Sequence, residues 1–247
     1  MSRCPEERLA STRIVVVRGD IAMVRAITFD MDDTLQQVHP FPPQLRFMEL
    51  CGASGIPLSH EQALVAVRAR KLLQEERKAQ GGRATPEWSQ RYWRMGLEAA
   101  GATGDLDQLT AALVDARRRM PPRVVLDPDV PDVLEHLRAR GFLLGVVSNW
   151  GTALAGALEA YGIAHYFTCI MDSDTAGVIK PDPALYLAAC ARLRVSPAEC
   201  LHVGDSPSHD VGMALAAGAA AALYDPLDTL DAGCPRVHRL LDLSGLL

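Results

Sequence analysis

Ile27-Thr28-Phe29-Asp30-Met31-Asp32-Asp33-Thr34-Leu35 is the stretch that decides the fold. Val24 to Phe29 is a short apolar run rich in β-branched residues, with Arg25 and Thr28 interspersed, and it reads as a buried strand. The run breaks abruptly into the carboxylates of Asp30, Asp32 and Asp33. A strand that delivers carboxylates at its C-terminal end builds a site, because open α/β sheets bind ligands outside those ends. Residues two apart in an extended segment point the same way, so Asp30 and Asp32 can address one ligand. The competing reading is a solvated acidic turn in which Asp33 or Thr34 caps a helix.

With 247 residues the chain can form one large domain, or a core with a smaller one inserted into it. A hydrophobic content of 49% with 22% charged residues is that of a soluble globular enzyme. The net charge is −5, and the Arg117-Arg118-Arg119 triplet reads as a solvated helix end, so no nucleic-acid partner is expected. The six cysteines lack metal-ligand spacing and several lie in apolar runs, which suits reduced thiols in the cytoplasm. No apolar run approaches the length of a membrane-spanning helix, so no membrane partner is expected either. Residues 1–22 read as a dispensable N-terminal extension, even one that begins upstream of a native start at Met23. A strand at Ile14–Val17 against a sheet edge is the alternative.

From Gln44 to about Val124 the signals are helical. Gln44–Cys51 is short and amphipathic. Ser59 with Gln62 forms a capping box for a helix running to about Gln80, where Gly81-Gly82 ends it. Thr85-Pro86 is an N-cap with proline at the first helical position, opening Glu87–Ala100, and a last helix covers about Leu106–Met120. Four helices are too many for an ordinary β–α connection. They predict an inserted all-helical domain over residues 39–121, within a core made of residues 23–38 and 122–247.

Beyond a helix over Asp129–Arg140, Phe142–Val147 is a second buried strand, ending in Ser148-Asn149-Trp150-Gly151 ahead of a helix over Thr152–Tyr161. Such a helix start attracts anions, yet Ser148 or Asn149 could equally cap its backbone. Tyr166–Met171 is a third strand and Asp172–Gly177 a loop. In Lys180-Pro181-Asp182-Pro183, Asp182 is an N-cap and Pro183 the first residue of the helix Ala184–Leu193, placing Lys180 just ahead of a positive helix end. Cys200–Val203 is a fourth strand, leaving through Gly204 to Asp205 and Asp210, the latter also suited to capping a helix. Ala219–Tyr224 is a fifth, and Asp242–Leu247 a tail packed on the core.

Together these four stretches resemble, in order, the motifs of the haloacid dehalogenase superfamily. Asp30-Met31-Asp32-Asp33-Thr34-Leu35 is similar to its first motif, Ser148 fits its second, Lys180-Pro181-Asp182-Pro183 its third, and Asp205 with Asp210 its fourth. The resemblance implies a doubly wound parallel α/β sheet, a Rossmann-like core, with a helical cap domain inserted between the first two motifs. It implies catalytic roles for Asp30 as nucleophile, Asp32 as general acid/base and Lys180 as the cation neutralising the nucleophile's carboxylate and the phosphate. Ser148, Asn149 and Lys180 would bind the phosphoryl group of the substrate. Mg2+ would be held by Asp30, Asp205, Asp210 and the backbone carbonyl of Asp32. True dehalogenases lack an Asp at the second position of the first motif, so Asp32 argues for phosphoryl chemistry.

The reading is therefore a Mg2+-dependent phosphomonoesterase acting on a small phosphorylated metabolite through an aspartyl-phosphate, as a monomer or homodimer. A phosphomutase and a non-catalytic binding protein on the same scaffold are the alternatives. Trp88 and Trp93 read as packing within the helical insert and His202 as a core histidine, and His209 either approaches the metal loop or is solvated. Trp150 and His39 are pocket candidates, and Arg83, Arg91 and Arg94 are either anion contacts or a solvated helix face.

Overall fold

The computed structural model describes residues 24–39 and 41–247, and the readings of residues 1–22, including a strand at Ile14–Val17, fall outside them. Strand β1 (Ala26–Phe29) is followed by β2 (Gln36–His39). Four helices follow: α1 (Pro43–Ala53), α2 (His60–Ala79), α3 (Pro86–Ala99) and α4 (Leu106–Arg119). Next come β3 (Arg123–Leu126), α5 (Val130–Ala139), β4 (Leu143–Ser148), α6 (Leu154–Ala160) and β5 (Cys169–Asp172). The chain then runs through α7 (Ser173–Ala176), α8 (Pro183–Leu193), β6 (Cys200–Gly204), α9 (Gly212–Ala216), β7 (Ala220–Tyr224) and β8 (Arg236–Val237).

Six strands form one parallel sheet in the order β5-β4-β1-β6-β7-β8. Side chains alternate across it, as the period of a strand demands. Ile27 and Phe29 join Val146, Val203, Leu134 and Leu158 on one face, whereas Ala26 joins Val147, Leu185, Tyr186 and Met213 on the other. Helices α5 and α6 cover the first face and α8 and α9 the second, burying each strand on both sides. Each fully buried side chain of this size contributes about 1.5–3 kcal/mol.

The inserted helices have an apolar cluster of their own, in which Phe47, Leu50, Cys51, Ala66, Leu97 and Leu113 are buried. Their starts are where local chemistry puts them. Ser59 and Gln62 exchange both bonds of a capping box, Thr85 Oγ1 accepts from the Trp88 N–H at 3.1 Å, and Asp105 caps α4.

Several elements differ from the sequence reading. The segment around His39, for which no strand was expected, and the one read as helical up to Val124 pair as an antiparallel ribbon, β2 with β3, at the two crossings between sheet and inserted helices. Four-residue strands with polar Gln36 and Gln37 carry too little periodicity to be recognised. The third strand starts at Cys169 rather than Tyr166, because Ala164–Tyr166 forms a 3-10 turn. Asp172 caps the short α7 where a loop was expected, and α6 begins at Leu154 with no side-chain cap. Residues Leu240–Gly245 of the tail are 3-10 helix.

Candidate active site

β1 lies between β4 and β6, so Asp30, Ser148 and Asp205 emerge side by side at the C-terminal edge of the sheet. The Asp30 N–H donates to the Val203 carbonyl at 2.9 Å, extending the ladder up to the carboxylate itself. Lys180, almost fully buried, donates from Nζ to Asp30 Oδ1 at 2.6 Å and to Asp210 Oδ1 at 2.5 Å. The other Asp210 oxygen accepts from the Ser206 N–H at 3.0 Å. His202 is the core histidine expected, but it is joined to the site. Its Nε2 faces Asp210 Oδ1 at 3.3 Å, and its Nδ1 meets Thr28 Oγ1, which in turn meets the Tyr186 hydroxyl.

One ammonium serves two buried carboxylates, and the electrostatics divide accordingly. Burial, opposed by Lys180 and reinforced by Asp210 and Asp205, pushes the Asp30 carboxyl up to about 7. Burial also opposes ionisation of Asp210, but Lys180 and His202 outweigh it and hold that group below the usual carboxylate range. Lys180 is held above its ordinary value because the two carboxylates outweigh its own burial.

Carboxylate oxygens of Asp30, Asp205 and Asp210 lie within 4.8 Å of one another. A compact set of hard oxygen donors fits Mg2+. The side chain of Asp32 stands outside this cluster. Its Oδ2 accepts from the Trp150 indole N–H at 2.8 Å and its Oδ1 from the Gln36 amide, which the Tyr161 hydroxyl in turn contacts. Asp32 is thereby oriented by neighbours that leave it free of the metal-type cluster, in keeping with a proton-transfer group.

Ser148 is buried and lines the cleft with Asp30, Asp32, Lys180, Asp205 and Asp210. Asn149 also lines it, yet its amide is bound to backbone: Oδ1 accepts from the Lys180 N–H and Nδ2 donates to the Lys180 carbonyl. Trp150 contacts the site through Asp32. His209, read either near the metal loop or as solvated, is half-buried on the cleft wall. His39 is exposed at the end of β2, and Arg94 pairs at the surface with Glu98 and Asp107. Arg83 and Arg91 are exposed. Trp93 is buried within the inserted helices, as expected, and Trp88 stacks on Tyr92.

The sequence reading missed the contribution of α2. Lys71, Glu75 and Lys78 share a face of the helix at i, i+4 and i+7 spacing and reach the edge of the sheet. Lys71 Nζ is 3.3 Å and Lys78 Nζ 3.7 Å from the Asp205 carboxylate. Glu75 accepts from the Ser206 hydroxyl at 2.8 Å and the Ser208 N–H at 2.6 Å. Burial opposes the charge of both lysines, and Asp205 with neighbouring acids outweighs it, raising their pKa values. Asp33 is exposed but lines this cleft, and desolvation by its crowded surroundings, with Asp205, pushes it up to about 6. The signal for α2 was present as a stripe of alternating charge, a pattern that normally marks a solvated face.

Comparison with known proteins agrees with this geometry. The family model described as haloacid dehalogenase-like hydrolase matches residues 24–218. The ribulose-1,5-bisphosphate 5-phosphatase of Halopiger xanaduensis is 29% identical over 219 residues, covering 85% of this chain and 88% of its own. The glyceraldehyde 3-phosphate phosphatase of Methanopyrus kandleri is 31% identical over 198 residues, covering 79% and 82%. Among solved structures, the HAD-hydrolase YfnB of Bacillus subtilis bound to magnesium superposes with a TM-score of 0.57. It is 21% identical and covers 91% of this chain and 98% of that one, a likeness of fold.

Proposed function

Because the chain belongs to the haloacid dehalogenase-like hydrolases and two relatives aligned over most of its length are phosphatases, we propose that it is a Mg2+-dependent phosphomonoesterase working through an aspartyl-phosphate on a small phosphorylated metabolite. The observation that carries this reading is the Lys180 ammonium bridging Asp30 and Asp210, with Asp205 completing a three-carboxylate cluster.

Asp30, Asp205 and Asp210 would hold Mg2+, which neutralises charge on the phosphoryl oxygens when bound. Lys180 and the Ser148 hydroxyl orient those oxygens, so that Asp30 can approach phosphorus in line. A bond forms from the Asp30 carboxylate to phosphorus as the ester P–O bond breaks, and Asp32 gives its proton to the leaving alkoxide. Asp32 then takes a proton from water, which attacks phosphorus and releases inorganic phosphate and the Asp30 carboxylate. Such transfer depends on positioning and electrostatics more than on covalent chemistry, which suits the density of charge around Asp30.

Residues 39–121 act as a cap in this scheme, closing over the substrate and excluding water. Lys71, Glu75 and Lys78 on α2 are its contacts with the edge of the sheet. No described helix is long and apolar enough to cross a membrane. The free thiols of Cys51, Cys169, Cys190, Cys200 and Cys234 support a reducing, cytoplasmic setting.

Phosphate release from a panel of small phosphomonoesters, with and without Mg2+, tests the reading for wild type and Asp30→Asn. Metal-dependent turnover in wild type that disappears in the variant is expected. Turnover that persists in Asp30→Asn would remove the aspartyl-phosphate.

A further inference from the structure

Beside Lys71, α2 carries a second cation that the chemistry above does not use. Arg70 is 9% exposed, and its guanidinium carbon lies 4.8 Å from the ring centroid of Phe47, 4.2 Å from that of Tyr92 and 4.1 Å from that of Trp93. Its Nε is a buried nitrogen without a hydrogen-bond partner, and among the described residues no carboxylate pairs with it. Aromatic rings satisfy the flat faces of a guanidinium but accept nothing from its in-plane N–H fork. A buried charge without an acceptor is costly, and the planar fork of arginine is shaped for a carboxylate or a phosphate.

Arg70 borders a cavity. This space of about 260 Å³ between the inserted helices and the sheet domain is also lined by Lys71, Tyr92 and Trp93. It shares the wall formed by Asp33, Gln37, Val38 and Gln74 with the cleft that holds Asp30 and Lys180. The stem of Arg70 depends on Gly96 of α3, where an added Cβ would stand 2.6 Å from Arg70 Cδ and 3.0 Å from Phe47 Cζ. Aromatic walls, a glycine that admits the side chain and an unpaired fork together make a built anion site rather than a stray surface arginine.

We infer that this cavity takes the non-reacting end of the substrate, and that Arg70 selects phosphomonoesters bearing a second anionic group, a carboxylate or another phosphate. The inference rests on the phosphatase reading, which supplies the site for the first phosphate. Lys71, the next residue of α2, lines the same cavity and reaches Asp205, so α2 borders both the cavity and the carboxylate cluster. A neutral-tailed ester leaves the guanidinium buried without an acceptor, and such a mismatch discriminates more strongly than a missing apolar contact.

Calorimetric titration with non-hydrolysable phosphonates in Mg2+ buffer tests this without relying on turnover. Phosphonoacetate and methylenebisphosphonate, which carry the second anion as carboxylate and as phosphonate, are compared with ethylphosphonate, which carries none. Wild type is expected to bind one or both acidic-tailed compounds about tenfold or more tighter than ethylphosphonate, and the better of the two names the tail. In Arg70→Met that preference collapses, whereas in Arg83→Met, at an exposed position away from the cavity, it persists. The affinity of each variant for ethylphosphonate is the internal reference, so the ratio is what is read. Arg70→Lys, which keeps a charge but not the fork, guards against an unfolded Arg70→Met and is expected to show a reduced ratio. Equal affinities in wild type, or the full wild-type ratio in either Arg70 variant, would overturn the role of Arg70. Phosphate release from any monoester by such a protein would leave the phosphatase reading standing, and wild type that binds no phosphonate overturns the inference together with its premise.

Discussion

Asn149 holds the backbone of Lys180 from both sides: its Oδ1 accepts from the Lys180 N–H at 2.7 Å, and its Nδ2 donates to the Lys180 carbonyl at 3.3 Å. Asn149, read from sequence as a phosphoryl donor, also clamps the segment that delivers Lys180. Removing it frees two backbone groups worth about 0.5–1.5 kcal/mol each. Asn149→Ala is expected to lower the melting temperature and, by loosening Lys180, to lower kcat about tenfold. Steady-state kinetics and a thermal melt check this, and wild-type kcat in the variant would show that Lys180 is held by other means.

Trp150 orients Asp32 through a 2.8 Å indole hydrogen bond. Trp150→Phe preserves the ring and deletes the donor. A hydrogen bond to a charged group is worth about 1.5–3 kcal/mol, so kcat for an ester with a poor leaving group should fall about 10- to 100-fold. An aryl ester such as p-nitrophenyl phosphate, which needs little proton donation, should lose much less. Equal losses on both substrates would separate Trp150 from the acid.

Gly204 ends β6 directly against Asp210, and a Cβ there would overlap the Asp210 carboxyl. Gly204→Ala is expected to destabilise the fold by about 1–3 kcal/mol through overpacking. It should also weaken Mg2+ dependence by displacing one of the three clustered carboxylates. A Mg2+ titration of activity alongside chemical denaturation distinguishes this from simple loss of stability. An unchanged Mg2+ midpoint in the folded variant would remove Asp210 from the metal set.

Burial pushes the thiols of Cys51 and Cys169 up to about 12 and about 11. The thiolate is the reactive form, so both stay protonated and inert at pH 8, and their reactivity grows only as pH rises toward those values. Native protein treated with iodoacetamide should be labelled at half-buried Cys234 before Cys51 or Cys169, and all three should react after unfolding. Peptide mass mapping decides; rapid native labelling of Cys51 would contradict its burial.

The sequence determined by itself what rests on near neighbours. Alternation along Ala26–Phe29 sets which side chains face which layer, and the carboxylates follow where that strand ends. Ser59 with Gln62, Thr85 with Trp88 and Asp182 with Ala184 start helices through bonds spanning two or three residues. The strands, the four motif stretches and the helices of the insert were legible for that reason, whereas the parallel arrangement of the core came from the family resemblance. The tertiary structure alone decided what depends on surfaces meeting across long separations. β2 finds β3 on the far side of four helices, Asn149 reaches the backbone 31 residues away, and Lys71 meets Asp205 across 134. Lys71, Glu75, Lys78 and Arg70 occupy one charged helix whose pattern alone does not distinguish a face against water from a face against a site. Only the packing of α2 over the sheet edge turns Lys71 and Lys78 toward Asp205 and Glu75 toward Ser206 and Ser208, and leaves the Arg70 Nε buried among aromatic rings without an acceptor.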